Sequence, residues 1–395
     1  MPVMRSWSGP ATTGEVFSLV RDGRADTRSE IGRITGLSRT AVAARVQALL
    51  DSGLVVETSE PERPGPGRPP ARLLFDRDAG VVLAAAVGRS RTQLAVCDLE
   101  GDVLVARDVD QEVGSTPEVL MPRVVELLGE LLGEAGRTAS DVRAVGVSIP
   151  GTVDREKGAS LDSPIMTGWD GVPLSPYLAP LTDAPLFCDN DANVMALSER
   201  RGHLERYRDL VFVKASTGIG VGVVAGGGLV RGALGAGGEV GHTKTPAAAG
   251  LPCRCGDTGC LETLASGWAL AQRARALGLP VEHVRDLVEL AGRGEGEARQ
   301  LVREAGRRIG EVLAGAVNLL NPQVVVVGGD LAGAYDTFVA GLRESLYSLA
   351  TALATRDLAI VPLTHGDRSG VVGCAALALS NVLDSAAVDR ALALR

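Results

Sequence analysis

The stretches "GEVGHTK" (Gly238–Lys244) and "PCRCGDTGCLE" (Pro252–Glu262) hold one histidine and three of the chain's six cysteines. Cys253 and Cys255 are separated by a single residue, and Cys260 follows five positions later. Such a cluster reads as a redox pair, a disulfide staple or a metal site. Six cysteines in 395 residues are too few for a disulfide scaffold. A Cys-x-Cys pair also cannot readily close a relaxed disulfide. The trio is therefore expected to bind metal.

Working outward, the chain is long enough for two or three domains. Its 45% hydrophobic and 22% charged content is that of a globular protein. No apolar run reaches the roughly 18–20 residues that span a bilayer. The opening "MPVMRSWSGPATTGEVF" has no apolar signal core, which predicts a cytoplasmic protein without a membrane partner. The net charge of −8 excludes a chain-wide nucleic-acid coat, so any DNA contact must be local.

One segment fits such a contact. "TRSEIGRITGLSRTAVAARVQALLDSGLVVE" (residues 27–57) carries apolar residues at helical spacing: Ile31, Ile34, Leu37, Val42, Val46, Leu49 and Leu50. Gly36 ends a first helix and Ser38 caps a second, which predicts a helix-turn-helix. Ser38, Arg39, Thr40, Ala43 and Arg45 are the candidates to face DNA, with Val42, Val46 and Leu49 turned to the core. "LVVE" and the Pro/Gly-rich "PERPGPGRPPARLLFD" (residues 61–76) then read as a wing, its tip carrying Arg63, Arg68 and Arg72. Residues 1–76 hold ten basic against nine acidic side chains, whereas the whole chain holds 40 against 48, so the acidic excess lies elsewhere.

From Ala79 the pattern becomes strands alternating with helices, the mark of an α/β sheet covered on its faces. Strands and turns in "AGVVLAAAVGRSRTQLAVCDLEGDVLVARDVD" precede a helix and the apolar strand "VRAVGVSIPG". The second half repeats the theme and ends in the helix "SGVVGCAALALSNVL", so two similar lobes around a cleft are expected. The glycine turns "STGIGVG" (Ser216–Gly222) and "VVVVGGD" (Val324–Asp330) follow apolar strands. There, backbone N–H groups can approach a phosphate, or the glycines can serve tight packing.

With "DNDANVMALSE", "GEVGHTK", "CRCGDTGCLETLASG", "STGIGVGVVAGGGLVRGALGAGGE" and "NLLNPQVVVVGGD" in place, the chain resembles the ROK family of bacterial sugar-responsive repressors and sugar kinases. The winged helix followed by "GRP" resembles its repressor branch. The resemblance implies a two-lobed actin-like ATPase (ribonuclease H-like) α/β fold behind an N-terminal winged helix-turn-helix domain. Residues 1–76 would form the DNA-binding domain. Residues 77–200, joined by a returning helix at 369–395, would form the small lobe, and 201–368 the large lobe with the metal. It also implies that His242, Cys253, Cys255 and Cys260 hold one zinc ion. The chemistry agrees: three thiolates and an imidazole complete a closed tetrahedral shell of the structural type. Asn190, Asp191, Glu239, His242 and Glu262 would bind a sugar. Carboxylates suit vicinal hydroxyls, and His242 would join metal to ligand.

Two departures qualify the expectation of kinase chemistry. The family's kinases carry "DxGGT" on the first hairpin, but here "AVGRS" places Ala86, Arg89 and Ser90 at the Asp, second Gly and Thr. Without that carboxylate, ATP and Mg²⁺ are not expected to be used for phosphoryl transfer. Arg89 either crowds phosphates or offers a cation to an anion. Asp191, which matches the kinase base, becomes a vestige, as do the phosphate-loop residues Gly88, Ser90, Thr217, Gly218, Gly220, Gly328 and Gly329. In "SPIMTGWDGVPL" Ile165 replaces a sugar-binding asparagine, so the effector can differ from the family's usual sugars. The reading is a transcriptional regulator, expected to be a repressor. It would bind a palindromic operator as a homodimer or homotetramer and sense a carbohydrate. Its rival is a sugar kinase of the same family, or a bifunctional kinase-regulator, phosphorylating a hexose with ATP.

Overall fold

The computed structural model describes residues 10–58, 71–112, 114–161, 166, 168–202 and 204–394. Helices α1 (Thr13–Arg21), α2 (Arg28–Thr35) and α3 (Arg39–Asp51) precede strands β1 (Val55–Thr58) and β2 (Arg72–Phe75), which pair antiparallel. Gly36 takes the left-handed conformation (φ 71°) that ends α2. Ser38 then caps α3, its side chain accepting from the Ala41 amide. Val42, Val46 and Leu49 lie on one buried face of α3. Helix, turn, helix and wing strands thus stand in the order expected. The wing tip with Arg63 and Arg68, like Ile165, lies outside the described residues.

Two five-stranded sheets form the body. The first contains β3 (Val81–Val87), β4 (Arg91–Asp98), β5 (Val103–Asp110), β6 (Val142–Ile149) and, after the small hairpin β7 (Val153–Asp154) and β8 (Ala159–Ser160), β9 (Leu186–Asn190). The second contains β10 (Leu210–Ala215), β11 (Ile219–Ala225), β12 (Gly228–Val230), β13 (Val324–Gly328) and β14 (Ala359–Pro362). Their spatial orders are β5-β4-β3-β6-β9 and β12-β11-β10-β13-β14. In each, the first three strands in sequence run antiparallel and the last two join in parallel. One architecture therefore occurs twice, the two similar α/β lobes expected from the sequence.

Residue type follows strand position. The central "VVVVG" of β13 is buried throughout, as a parallel strand covered on both faces must be. The edge strand β5 alternates between half-buried and exposed residues. Helix α4 (Pro117–Glu134) covers one face of the first sheet. After α5 (Ser175–Leu178), helix α6 (Asp191–Ser198) packs against β10 and β11 of the second sheet. That second sheet carries α7 (Glu262–Ala265), α8 (Gly267–Ala276), α9 (Val284–Gly292), α10 (Gly296–Leu320), α11 (Tyr335–Leu349) and α12 (Ala352–Thr355).

Helix α13 (Ser369–Val382) returns to the first sheet, packing on β3, β6 and α6. Helix α14 (Ser385–Ala393) continues to α1. The Gly14 amide donates to Asp389 Oδ1 at 2.7 Å, the Ser18 and Ser385 hydroxyls meet at 2.8 Å, and Arg21 Nη1 donates to the Leu383 carbonyl at 2.7 Å. One apolar cluster consequently runs from Val16, Phe17 and Leu49 through Val82 and Ala95 to Ala375, Leu383 and Val388. The winged helix-turn-helix segment and the first sheet share a core. Among the described residues, no single helix is long and apolar enough to cross a membrane.

Candidate functional site

The predicted ligands converge. One donor atom each from His242, Cys253, Cys255 and Cys260 lies within 4.8 Å of the others. Cys255 Sγ and Cys260 Sγ are 3.7 Å apart, and Cys253 Sγ is 3.8 Å from His242 Nδ1. An ion with bonds of about 2.3 Å to sulfur needs tetrahedral edges of roughly 3.8 Å, and these two edges match that spacing. A 3₁₀ turn, Val240–His242, presents the imidazole. Bridges between Lys244 and Cys260 and between Pro252 and Thr258 hold the cysteine loop. Lys244 Nζ donates to Cys260 Sγ at 3.1 Å and pairs with Asp257 at 2.7 Å, placing positive charge beside that sulfur. Burial pushes the Cys253 thiol up to about 12, so metal entry must displace its proton.

Beside this cluster a cleft of about 990 Å³ is lined by residues of both sheets. Asn190, Asp191, Glu239, His242 and Glu262 all line it. With Nδ1 on the sulfur side, the His242 Nε2 remains for a ligand. Glu262 is nearly buried; its Oε1 accepts from the Ile219 amide at 2.7 Å and its Oε2 from Trp268 Nε1 at 3.4 Å. Burial pushes the Glu239 carboxyl up, Asp191 and Glu262 add to the effect, and His242 opposes it.

Two of these side chains are more occupied than the sequence suggested. Asn190 caps α6: its Oδ1 accepts from the Ala192 and Asn193 amides at 2.9 and 3.2 Å, and its Nδ2 donates to the Gly151 carbonyl at 2.9 Å. Its amide thus has less left for a hydroxyl. Asp191, at the first turn of α6, forms an ion pair with Lys214 of β10. Below them, the buried Asp189 is compensated by Arg231 Nε at 2.6 Å and by Asn193 Nδ2 at 2.9 Å.

The glycine turns divide. Gly88, Ser90, Thr217, Gly218, Gly220 and Gly329 line the cleft. Gly328 does not; it is buried, and a Cβ there would meet the Phe212 ring at 2.5 Å, so it serves packing. A Cβ on Gly218 would lie 2.7 Å from Glu262 Oε1. That glycine lets the turn close on the carboxylate. On α3 and its N-cap, Ser38, Arg39, Thr40 and Ala43 are exposed. Arg45 differs from expectation: its Nε donates to the Ala11 carbonyl at 2.6 Å, tying α3 to the segment before α1 instead of standing free for DNA.

Sequence reasoning missed Lys214 and Arg254. The chain has three lysines, Lys157, Lys214 and Lys244, and two of them line the cleft. That scarcity was a usable signal. Arg254, between Cys253 and Cys255, lies over the Trp268 ring at 4.6 Å, a contact across the fold that spacing does not reveal.

The family model of the ROK family matches residues 82–381, most of the chain and all of this cleft. The chain belongs to the ROK family. The Xylose repressor of Caldicellulosiruptor bescii is 27% identical over 382 residues, covering 93% of this chain and 95% of the repressor. Among solved structures, a ROK family transcriptional regulator described as a homolog of the E. coli Mlc protein aligns over 97% of this chain and 98% of its own, with TM-score 0.81 and 24% identity. The ROK hexokinase of Thermus thermophilus is 31% identical with TM-score 0.60, covering 76% of this chain and 99% of its own. The regulators match nearly the whole chain, whereas the kinase matches three quarters of it. The architecture is therefore the two-lobed actin-like fold carrying an N-terminal winged helix-turn-helix, as in the ROK repressors.

Proposed function

We propose that this ROK protein is a cytoplasmic, sugar-responsive transcriptional regulator, most simply a repressor, that reads operator DNA through α3 and its wing. The observation that carries the reading is α13. Gly366 and Asp367 in the turn just before it and Gly370 in its first turn line the cleft, and Gly370 abuts Ala86 of the first hairpin. Its far end leads through Leu383 into α14, which is bonded to α1. A ligand that draws the lobes together would move this helix and so reposition the reading head. Contacts to a two-fold symmetric operator imply an even-numbered homo-oligomer, a dimer or tetramer.

Zinc is the metal proposed for the Cys₃His shell, one ion per chain and structural in role, since four protein donors leave no open position. It would lock the His242 ring against the cleft. Asn190, Asp191, Glu239, His242 and Glu262 would meet the sugar's hydroxyls, and Ser38, Arg39, Thr40 and Arg68 the DNA. Phosphoryl transfer is not part of the proposal. Ala86 brings no carboxylate to a metal-nucleotide, and Lys214 engages Asp191 where a base would need to take a proton.

The test is selection from a random DNA library with the purified protein, followed by challenge with a sugar panel and, separately, with ATP. Enrichment of a palindromic sequence that a sugar releases is the expected result. Sugar-dependent ATP turnover with no enriched DNA would establish the kinase reading instead.

A further inference from the structure

The chain passes from the first sheet to the second after α6 and returns after β14. These two crossings are bolted to one another. Glu199, fully buried just past the end of α6, accepts from the Thr364 amide at 3.1 Å and from the Thr364 hydroxyl at 2.5 Å. His365 Nε2 donates to the Ser198 and Arg201 carbonyls, both at 3.0 Å. Leu363, Gly366 and Asp367, on either side of Thr364 and His365, line the cleft. Lobes whose two crossings are tied at one place can turn about that place but cannot part there. This junction is the pivot on which the cleft would close.

The Arg201 side chain leaves the pivot toward the first sheet. A Cβ built on Gly101, in the turn between β4 and β5, would lie 2.7, 2.8 and 2.9 Å from its Cζ, Nη1 and Nη2. The near-equal distances lay the planar guanidinium flat on the Gly101 backbone, in space that a side chain at this position would fill. The same turn is joined on its other side to the linker behind the wing. The Leu99 amide donates to the Arg77 carbonyl at 3.1 Å, Arg77 Nε donates to the buried Asp98 at 2.7 Å, and its other nitrogens reach Glu100 and Asp102. Arg77 follows two positions after Phe75, the last residue of wing strand β2. Direct contacts therefore run without a gap from the edge of the cleft to the wing. We propose that Arg201 is a positioning residue that passes movement of the pivot to the wing, through the β4–β5 turn and Arg77. This rests on the lobe-closure reading of sugar sensing and adds a second route to the one along α13 and α14. One route ends on α1 and the other on β2, and a body held at two points turns with its support instead of swinging on one tether.

The test is amide hydrogen exchange, followed by mass spectrometry, on the full-length protein without sugar or DNA. Thr364→Val keeps the backbone bond to Glu199 and removes that of the hydroxyl, which disturbs the pivot itself. Exchange over residues 72–80, the return strand of the wing and its linker, should rise at least about twofold, and Arg201→Ala should raise it likewise. The double variant should show no further rise, because opening the joint at Arg201 removes the route by which the pivot acts on the wing. An Arg201 that only props up its surroundings would add its own effect to that of Thr364→Val, and such additivity would overturn the relay. A wild-type level of exchange over residues 72–80 in either single variant would overturn it as well. Neither result touches sugar sensing, which stands or falls on the release of DNA by a sugar.

Discussion

Cys255 shows how much one side chain settles in this protein. It is partly exposed, lies 3.7 Å from Cys260 and belongs to a shell that no remote residue completes. Cys255→Ser should lower metal content well below one ion per chain and reduce thermal stability by several degrees, read by metal analysis and calorimetry. Unchanged stoichiometry would show that the shell is not the metal site. The four donors were legible because three lie within eight positions and the fourth eleven residues earlier. The chemistry of a Cys/His cluster needs no knowledge of distant strands. Lys214 and Arg254 were not legible in the same way: one acts on a helix from a neighbouring strand, the other stacks on a ring fourteen residues away. Their partners are products of the fold.

Elements carry the next layer. Helix α9 begins with a reciprocal cap in which Asp286 Oδ2 accepts from the Glu282 and His283 amides at 2.9 and 2.8 Å. These bonds, from His283 first, hold the Asp286 carboxyl below its ordinary range. Its contribution is therefore present above the unfolded carboxylate range and lost as pH falls through the depressed folded value. Asp286→Ala should cost about 0.5–1 kcal/mol at neutral pH, with the difference disappearing in acid. Melting curves at both pH values check this, and His283, which lines the cleft, should shift in its NMR signals. Gly14 offers a second test. Alanine would favour helix α1 by up to about 1 kcal/mol in isolation. Here its Cβ would lie 1.9 Å from the Ser385 carbonyl oxygen, an overpacking that costs about 1–3 kcal/mol. The clash should win: Gly14→Ala should melt earlier and respond less to ligand in DNA binding, with metal content unchanged. The helix-turn-helix itself was readable, because Gly36, Ser38 and the Val42/Val46/Leu49 stripe are local signals. The docking of α14 on α1 was not, since 375 residues separate Gly14 from Asp389.

At the scale of the whole molecule, the sequence showed two similar α/β halves, and the structure shows that the two sheets share strand order and sense. What composition could not show is that the reading head has no separate core, because its apolar cluster continues into the first sheet and α13. If the cleft and α3 bias the same rearrangement, coupling is reciprocal. A sugar that weakens operator binding by a factor in the roughly 5–150-fold range must itself bind more weakly to the operator complex by the same factor. Titrating sugar into free protein and into the DNA complex measures both; unequal factors would show that the two sites are not linked through one equilibrium.

The joining of α14 to α1 also sets an order of events in synthesis. The reading head is translated early, yet Leu383 and Val388, which help close its core, emerge only after the sensing body is complete. A half-made chain would therefore present α3 on an unfinished support. If α3 needs that support to bind DNA, operator binding would begin only once the sensing body has folded.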